Sequence, residues 1–261
     1  MPAPVNIFKQ ALQAGEPLFG TWSALASALC AEIASRTGFD WIVLDGEHAP
    51  NDLRSILSQL QAVAASPCHP VVRLPVGDTA LIKQFLDIGA QTLLIPMVDT
   101  PQDAARVAAA TQYPPKGRRG IGSALARSGG FGTTTDYLTT AGEQICVIAQ
   151  VESRSAIASI DAIAATDGID AVFFGPSDLA ADMGLIGQTS HPDVVAAVEE
   201  GIRAVVAAGK PAGVLAMDPD LVARFIAAGA TFVAVATDVN ALVVGLRSRR
   251  AQFKSLREIN S

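Results

Sequence analysis

The sequence predicts a (β/α)8 TIM barrel on three grounds. Short β-branched or aromatic runs alternate with polar loops and Ala/Leu-rich stretches along the 261 residues, the alternation that builds βα units around a parallel sheet. Eight such units are present, the number that closes a barrel. A doubly wound open sheet is the competing arrangement, but the glycine-rich phosphate turn usual after its first strand is absent.

The first strand is expected at 18–23 and the second at 41–45, where Trp41-Ile-Val-Leu is continuously apolar; apolar residues at helical spacing follow over 53–64. A strand at 70–74 and a helix at 79–87 come next, with Gly89 placed for a left-handed C-cap. A fourth strand at 92–96 leads into a helix at 102–111. The segment 112–142 is too long for a simple connection and contains Tyr113-Pro-Pro-Lys-Gly-Arg-Arg-Gly120 and Ser128-Gly-Gly-Phe-Gly132, so it is expected to be a functional excursion over the barrel mouth. Strands at 145–151, 171–174, 212–216 and 232–236 complete the set, with helices at 155–165, 191–208 and 221–228 and further C-caps at Gly209 and Gly229. After the last strand and its helix, the polar stretch 246–261 reads as a solvated tail or as a helix docking on a neighbour.

Half the residues are apolar and the net charge is -6, so one large core in a single domain spanning 1–261 is expected. No uninterrupted apolar stretch reaches the ~20 residues that cross a bilayer, and the first residues lack a basic segment followed by an apolar one. A cytoplasmic protein without a membrane partner is expected. Cys30, Cys68 and Cys146 are odd in number and widely spaced, which suits reduced thiols rather than disulfides or a thiolate zinc site. The acidic balance and the lack of a Lys/Arg stripe with interleaved aromatics exclude nucleic acid as the expected partner.

In a barrel, loops from all units converge at the C-terminal ends of the strands, and the chemistry-bearing residues fall there: Trp22, then Asp45 and His48, Arg73, Gln150 with Glu152, Asp178, and Leu215. Glu152 and Asp178 on adjacent strands offer two hard oxygen ligands and leave positions for water and substrate, which suits Mg²⁺, Mn²⁺ or Co²⁺; capping of the helices that follow is the alternative for each acid. His48 lies three residues after Asp45, a spacing that allows a carboxylate to reach one imidazole nitrogen and raise its basicity, making His48 the expected proton-transfer group. Arg73 is flanked by Val71-Val72 and Leu74-Pro75, so burying its guanidinium requires an anionic partner, a substrate or a structural carboxylate. The turn Gly175-Pro176-Ser177-Asp178 sets backbone N–H groups at a helix start, suited to a carboxylate. His69 and His191 are read as structural. Lys9, Lys83, Lys116, Lys210 and Lys254 fall in predicted helices or loops, away from strand ends where a Schiff-base lysine would be needed.

The run Phe39-Asp-Trp-Ile-Val-Leu-Asp-Gly-Glu-His-Ala-Pro-Asn51, with Val72-Arg-Leu-Pro75, Arg118-Arg-Gly120, Gln150-Val-Glu152 and Gly175-Pro-Ser-Asp-Leu179, resembles the class II pyruvate aldolases of the HpcH/HpaI family over nearly the whole chain. Similar members include the 4-hydroxy-2-oxoheptanedioate aldolases and the 2-keto-3-deoxy sugar acid aldolases. The resemblance implies a divalent metal and homo-hexamers in which a C-terminal helix is exchanged between subunits. It implies Glu152 and Asp178 as metal ligands, Gln150 as their neighbour, Arg73 polarising the ketone of pyruvate or hydroxypyruvate, and His48 with Asp45 as a proton-transfer dyad. Gly175, Pro176, Ser177 and Asp178 would receive the substrate carboxylate, and Trp22, Ser123 and Leu215 would line the pocket that admits the aldehyde. Two other readings are weighed: a lyase of acyl-CoA thioesters of the malyl-CoA or citramalyl-CoA type, which would need Lys116, Arg118 and Arg119 as a basic nucleotide groove, and a non-catalytic barrel that binds a keto acid.

Overall fold

A computed structural model describes residues 1–253. Eight parallel strands, β1 (Leu18–Ser23), β2 (Trp41–Asp45), β3 (His69–Arg73), β4 (Thr92–Ile95), β5 (Cys146–Val151), β6 (Ala171–Phe174), β7 (Ala212–Leu215) and β8 (Ala230–Thr237), hydrogen-bond in sequence order, and β8 returns to β1. The helices are α1 (Ile7–Ala14), α2 (Ala28–Ser35), α3 (Leu53–Val63), α4 (Thr79–Asp87), α5 (Pro101–Thr111), α6 (Tyr137–Gln144), α7 (Arg154–Ala158), α8 (Ile160–Ala164), α9 (Pro176–Asp182), α10 (Pro192–Ala207), α11 (Pro219–Ala228) and α12 (Asp238–Gln252). The expected (β/α)8 barrel is the observed one.

Alternation along the strands sorts side chains into two cores. Ile42, Leu44, Val72, Leu93, Val147 and Val172 face outward against the helices. Trp41, Val43, Val71, Leu94, Ile148, Phe173 and Phe232 face inward. The rings of Trp41, Phe173 and Phe232 meet at centroid separations of 5.8 to 6.3 Å, each buried ring contributing on the order of 2–3 kcal/mol. Two glycines make room for them: a Cβ on Gly20 would collide with the Trp41 ring and one on Gly213 with Phe232.

Helix α1 closes the N-terminal end of the barrel. Its Phe8 reaches the inner core and stacks on His69 at 5.2 Å. Its N-cap Asn6 is fully buried; the side chain accepts from Lys9 N and donates to Gln91 O, Thr92 Oγ1 and Gln144 O. Gly89, Gly209 and Gly229 all have positive φ, as their place after helices requires.

Several sequence-based expectations need correction. Helices α1, α2 and α6 are additions to the expected set, α9 begins at the turn where a helix start was expected, and the helix expected over 155–165 is two short ones joined at Ser159, whose φ of -104° and ψ of 8° interrupt the spiral. The excursion 112–142 does not cover the mouth. Arg119 Nη2 donates to Asp87 Oδ1 at the end of α4, Arg127 Nη1 to Ile88 O, and the chain start bonds Thr135 and Thr140. These partners lie on the barrel's side and N-terminal end. The C-terminal stretch begins as α12, held at its start where Asp238 accepts from Ser23 Oγ and the amides of Ala24 and Leu25. No residue of α12 is buried; residues 254–261 lie outside the described part of the chain.

Candidate active site

Register places Asp45 of β2 directly beside Arg73 of β3, and the two form the centre of the mouth. Arg73 Nε donates to Asp45 Oδ1 at 2.8 Å and Nη2 to Oδ2 at 2.7 Å, while Trp22 Nε1 donates to Oδ2 at 3.1 Å. The guanidinium carbon also lies 4.8 Å from the centre of the Trp22 ring. Burial would raise the Asp45 carboxyl, but the hydrogen bonds and charge of Arg73 outweigh it and hold the group below its ordinary range. The close turn depends on Gly46, where a Cβ would lie 2.6 Å from Arg73 O.

The remaining edge of Arg73 faces Glu47. Nη1 lies 2.7 Å from Glu47 Oε2 as an ion pair, at an angle outside that of a hydrogen bond. Burial raises the Glu47 carboxyl; Arg73 opposes the shift, and Asp45 and Asp178 add to it. Glu152, at the end of β5, is buried, with Oε1 accepting from Met97 N at 2.9 Å and Oε2 from Gln150 Nε2 at 2.6 Å. Its carboxyl is raised, first by burial, against those two hydrogen bonds, with Glu47 and Asp178 adding repulsion. Gly175 is required here, since a Cβ would lie 2.6 Å from Glu152 Oε2. Asp178 stands in the first turn of α9 and makes no capping hydrogen bond; the residue that caps α7 is Ser153, not Glu152.

Four carboxylates, Asp45, Glu47, Glu152 and Asp178, therefore share the mouth with one guanidinium. Gln150 Oε1 is buried beside them without a hydrogen-bond partner. The set is rich in hard oxygen donors and short of positive charge, which fits a divalent cation held by Glu152 and Asp178. Among the described residues no group of three or more His, Cys, Asp or Glu is arranged as a protein-only metal cage, so such an ion would complete its shell with water or substrate.

Other expected members are placed differently. The His48 imidazole does not meet Asp45: the carboxylate, taken by Arg73 and Trp22, reaches only the His48 backbone N–H, and the ring is 67% exposed with Nε2 4.0 Å from Glu47 Oε2. A bidentate guanidinium outcompetes an imidazole for a buried carboxylate. The Gly175 amide is committed to Val151 O and Pro176 has none, leaving the amides of Ser177 and Asp178 at this turn. Leu215 packs against the inner core and, with Pro176, Ser177, Ala216 and Met217, borders a cavity of about 560 Å³. Ser123 is not brought to this group: it packs against Gly129 within the excursion, whose Gly120 and Gly122 lie beside Lys83 and Asp87 of α4. Of the three residues of the basic groove in the thioester-lyase reading, Lys116 and Arg118 are exposed but Arg119 is withdrawn into the fold. Arg119 is 1% exposed, paired with Asp87, with the Tyr113 ring 4.6 Å and the Tyr137 ring 5.7 Å from its guanidinium carbon.

The profile of the HpcH/HpaI aldolase/citrate lyase family matches residues 18–244. The chain belongs to this family. Within it, the chain is 53% identical to a hydroxypyruvate/pyruvate aldolase of Deinococcus radiodurans, over 97% of this chain and 94% of the relative. It is 48% identical to a 4-hydroxy-2-oxo-heptane-1,7-dioate aldolase of Salmonella dublin, over 95% of this chain and 94% of the relative. A crystal structure of an HpcH/HpaI aldolase/citrate lyase family protein from Burkholderia cenocepacia superposes with a TM-score of 0.89 at 41% identity, covering 98% of this chain and 100% of that one. The protein is an aldolase, a carbon–carbon lyase acting on small molecules.

Two contributors to the mouth of this aldolase escaped the sequence reading. Glu47 sits inside the Asp45-Gly-Glu-His48 run and was legible as an acid, but its ion pair with Arg73 depends on the turn. Met97 acts through a backbone N–H from a left-handed φ of 53°, for which side-chain chemistry gives no signal.

Proposed function

We propose that the barrel makes and cleaves 4-hydroxy-2-oxo acids by joining the enolate of pyruvate or hydroxypyruvate to an aldehyde, with Mg²⁺, Mn²⁺ or Co²⁺ held by Glu152 and Asp178. The observation that carries this reading is the charge imbalance at the mouth: four carboxylates, two of them raised by burial, around one arginine already shared between Asp45 and Glu47. When bound by these residues, a divalent cation would supply positive charge for the ketone oxygen as a proton leaves the adjacent carbon.

The chain's own residues do the rest. Asp45 and Trp22 fix the Arg73 plane so that Nη1, which is ion-paired with Glu47 and outside the Asp45 fork, is the edge that meets the substrate oxygen. Gln150 and the Met97 amide each take one oxygen of Glu152 and aim the carboxylate into the mouth. The Ser177 and Asp178 amides receive the substrate carboxylate at the start of α9, and Leu215 and Trp22 form apolar walls. His48 stands on the rim, where it exchanges a proton with solvent and with the substrate methyl or the aldehyde oxygen.

We also propose that the whole chain forms one aldolase domain that works as a homo-oligomer, a hexamer by family resemblance, in which α12 crosses to a neighbouring barrel. In support, α12 leaves Val239, Leu242, Val243, Val244 and Leu246 exposed, and α2 exposes Leu29 and Ile33. Among the described residues no helix is long and apolar enough to cross a membrane, and a cytoplasmic site of action is part of the proposal.

The test is proton–deuterium exchange at the pyruvate methyl group in D₂O without aldehyde, comparing chelated protein with protein resupplied with Mn²⁺. Exchange that requires the ion and is lost in Glu152→Ala and Asp178→Ala is expected. Exchange that survives chelation would overturn the metal assignment, and its absence under every condition would overturn the pyruvate-enolate reading.

A further inference from the structure

The loop after β4 grips the end of β5 through three consecutive residues. Met97 N–H donates to Glu152 Oε1 at 2.9 Å, Val98 N–H to Gln150 O at 3.1 Å, and Asp99 Oδ1 accepts from Ser153 Oγ at 2.6 Å. Strand β4 stops at Ile95, and Pro96 has no N–H, so the Met97 amide is the first donor beyond the strand. To turn it inward, Met97 adopts φ 53°, the left-handed region that non-glycine residues rarely occupy. Packing does not hold the side chain there, since Met97 is 58% exposed. A strained backbone with a free side chain, directed at one oxygen of a buried carboxylate, is strain placed in the service of a site.

We propose that Met97 is a positioning residue, its left-handed backbone aiming one carboxylate oxygen of Glu152 so that the other lone pairs face the cation. This rests on the assignment of Glu152 as a cation ligand. The backbone conformation matters and the side chain does not: glycine adopts it freely, an unbranched side chain tolerates it, and a β-branched one resists it.

The experiment measures Mn²⁺ affinity calorimetrically, without substrate, in the parent and in Met97→Gly, Met97→Ile and Glu152→Ala, with circular dichroism and melting curves on the same samples. Met97→Gly is expected to bind within about twofold of the parent, and Met97→Ile about tenfold more weakly while remaining folded, the scale of a left-handed penalty. Methyl-proton exchange in Met97→Ile should recover at saturating Mn²⁺. Parent-like affinity in Met97→Ile, or equal losses in the glycine and isoleucine variants, would overturn the proposal while loss in Glu152→Ala upheld the metal site. Unchanged affinity in Glu152→Ala would overturn both. Should Met97→Ile not fold, the glycine variant alone decides: parent-like affinity supports the backbone role, and a large loss refutes it.

Discussion

Asp45 collects three side-chain N–H groups, two from Arg73 and one from Trp22, and this arrangement makes arginine irreplaceable by lysine. Lysine has one charged nitrogen and no planar fork. Arg73→Lys is expected to keep the fold and lower kcat/KM by about 100-fold or more, measured by aldol cleavage with circular dichroism as the control. Glu152 provides a pH signature. Burial raises its carboxyl, so the folded chain keeps this proton where the unfolded chain, titrating at the ordinary glutamate value of about 4.3, has lost it. That contribution to stability is complete below the unfolded value and is lost as pH rises through the raised folded value. In metal-free buffer Glu152→Gln should therefore melt increasingly above the parent as pH rises through this window, and added Mn²⁺, which needs the anion, should reverse the order. At this scale the sequence displayed Asp45, Arg73, Glu152 and Asp178 as chemistry at strand ends. It hid who pairs with whom, because the Asp45–Arg73 pairing is a matter of register between strands 28 residues apart.

The elements at the closed end of the barrel depend on α1. Asn6 is both the cap of that helix and a donor to three groups of the barrel floor, so Asn6→Ala should cost about 3 kcal/mol, the loss of a cap plus orphaned buried acceptors, seen as a lower melting temperature with unchanged chemistry. His69 beneath Phe8 is an acid-sensitive joint. Burial pushes its pKa down to about 4, against an ordinary value of about 6.5. The unfolded chain therefore binds this proton first as pH falls, and stability drops between about pH 6.5 and pH 4. His69→Gln, which keeps a partner for Thr92 Oγ1, should flatten that limb in melts across this range. The long amphipathic helices α3, α4, α10 and α11 were readable because apolar spacing persists over nine residues or more. Helices of eight residues or fewer, such as α2 and α6, carry too few turns for a period to emerge.

For the whole molecule, the parallel barrel was legible because eight apolar runs alternate with helical stretches and those ending at Asp45, Arg73, Glu152 and Asp178 carry their polar chemistry on the same side. The path of 112–142 was not, because it is settled by long-range pairs such as Arg119 with Asp87. In the proposed assembly α12, which has no buried residue, would supply the contact between subunits, and truncation after Asp238 is expected to lower the mass in sedimentation equilibrium together with the melting temperature. An unchanged mass would assign the oligomer to another face. The aromatic filling of the barrel has a kinetic corollary. With Trp41, Phe173, Phe232 and Phe8 blocking the axis, the vessel has one door, and the keto acid, in the proposed pose against Arg73, would be the first in and the last out. Product-inhibition patterns should accordingly be those of an ordered mechanism, with the keto acid competitive against the aldol and the aldehyde not.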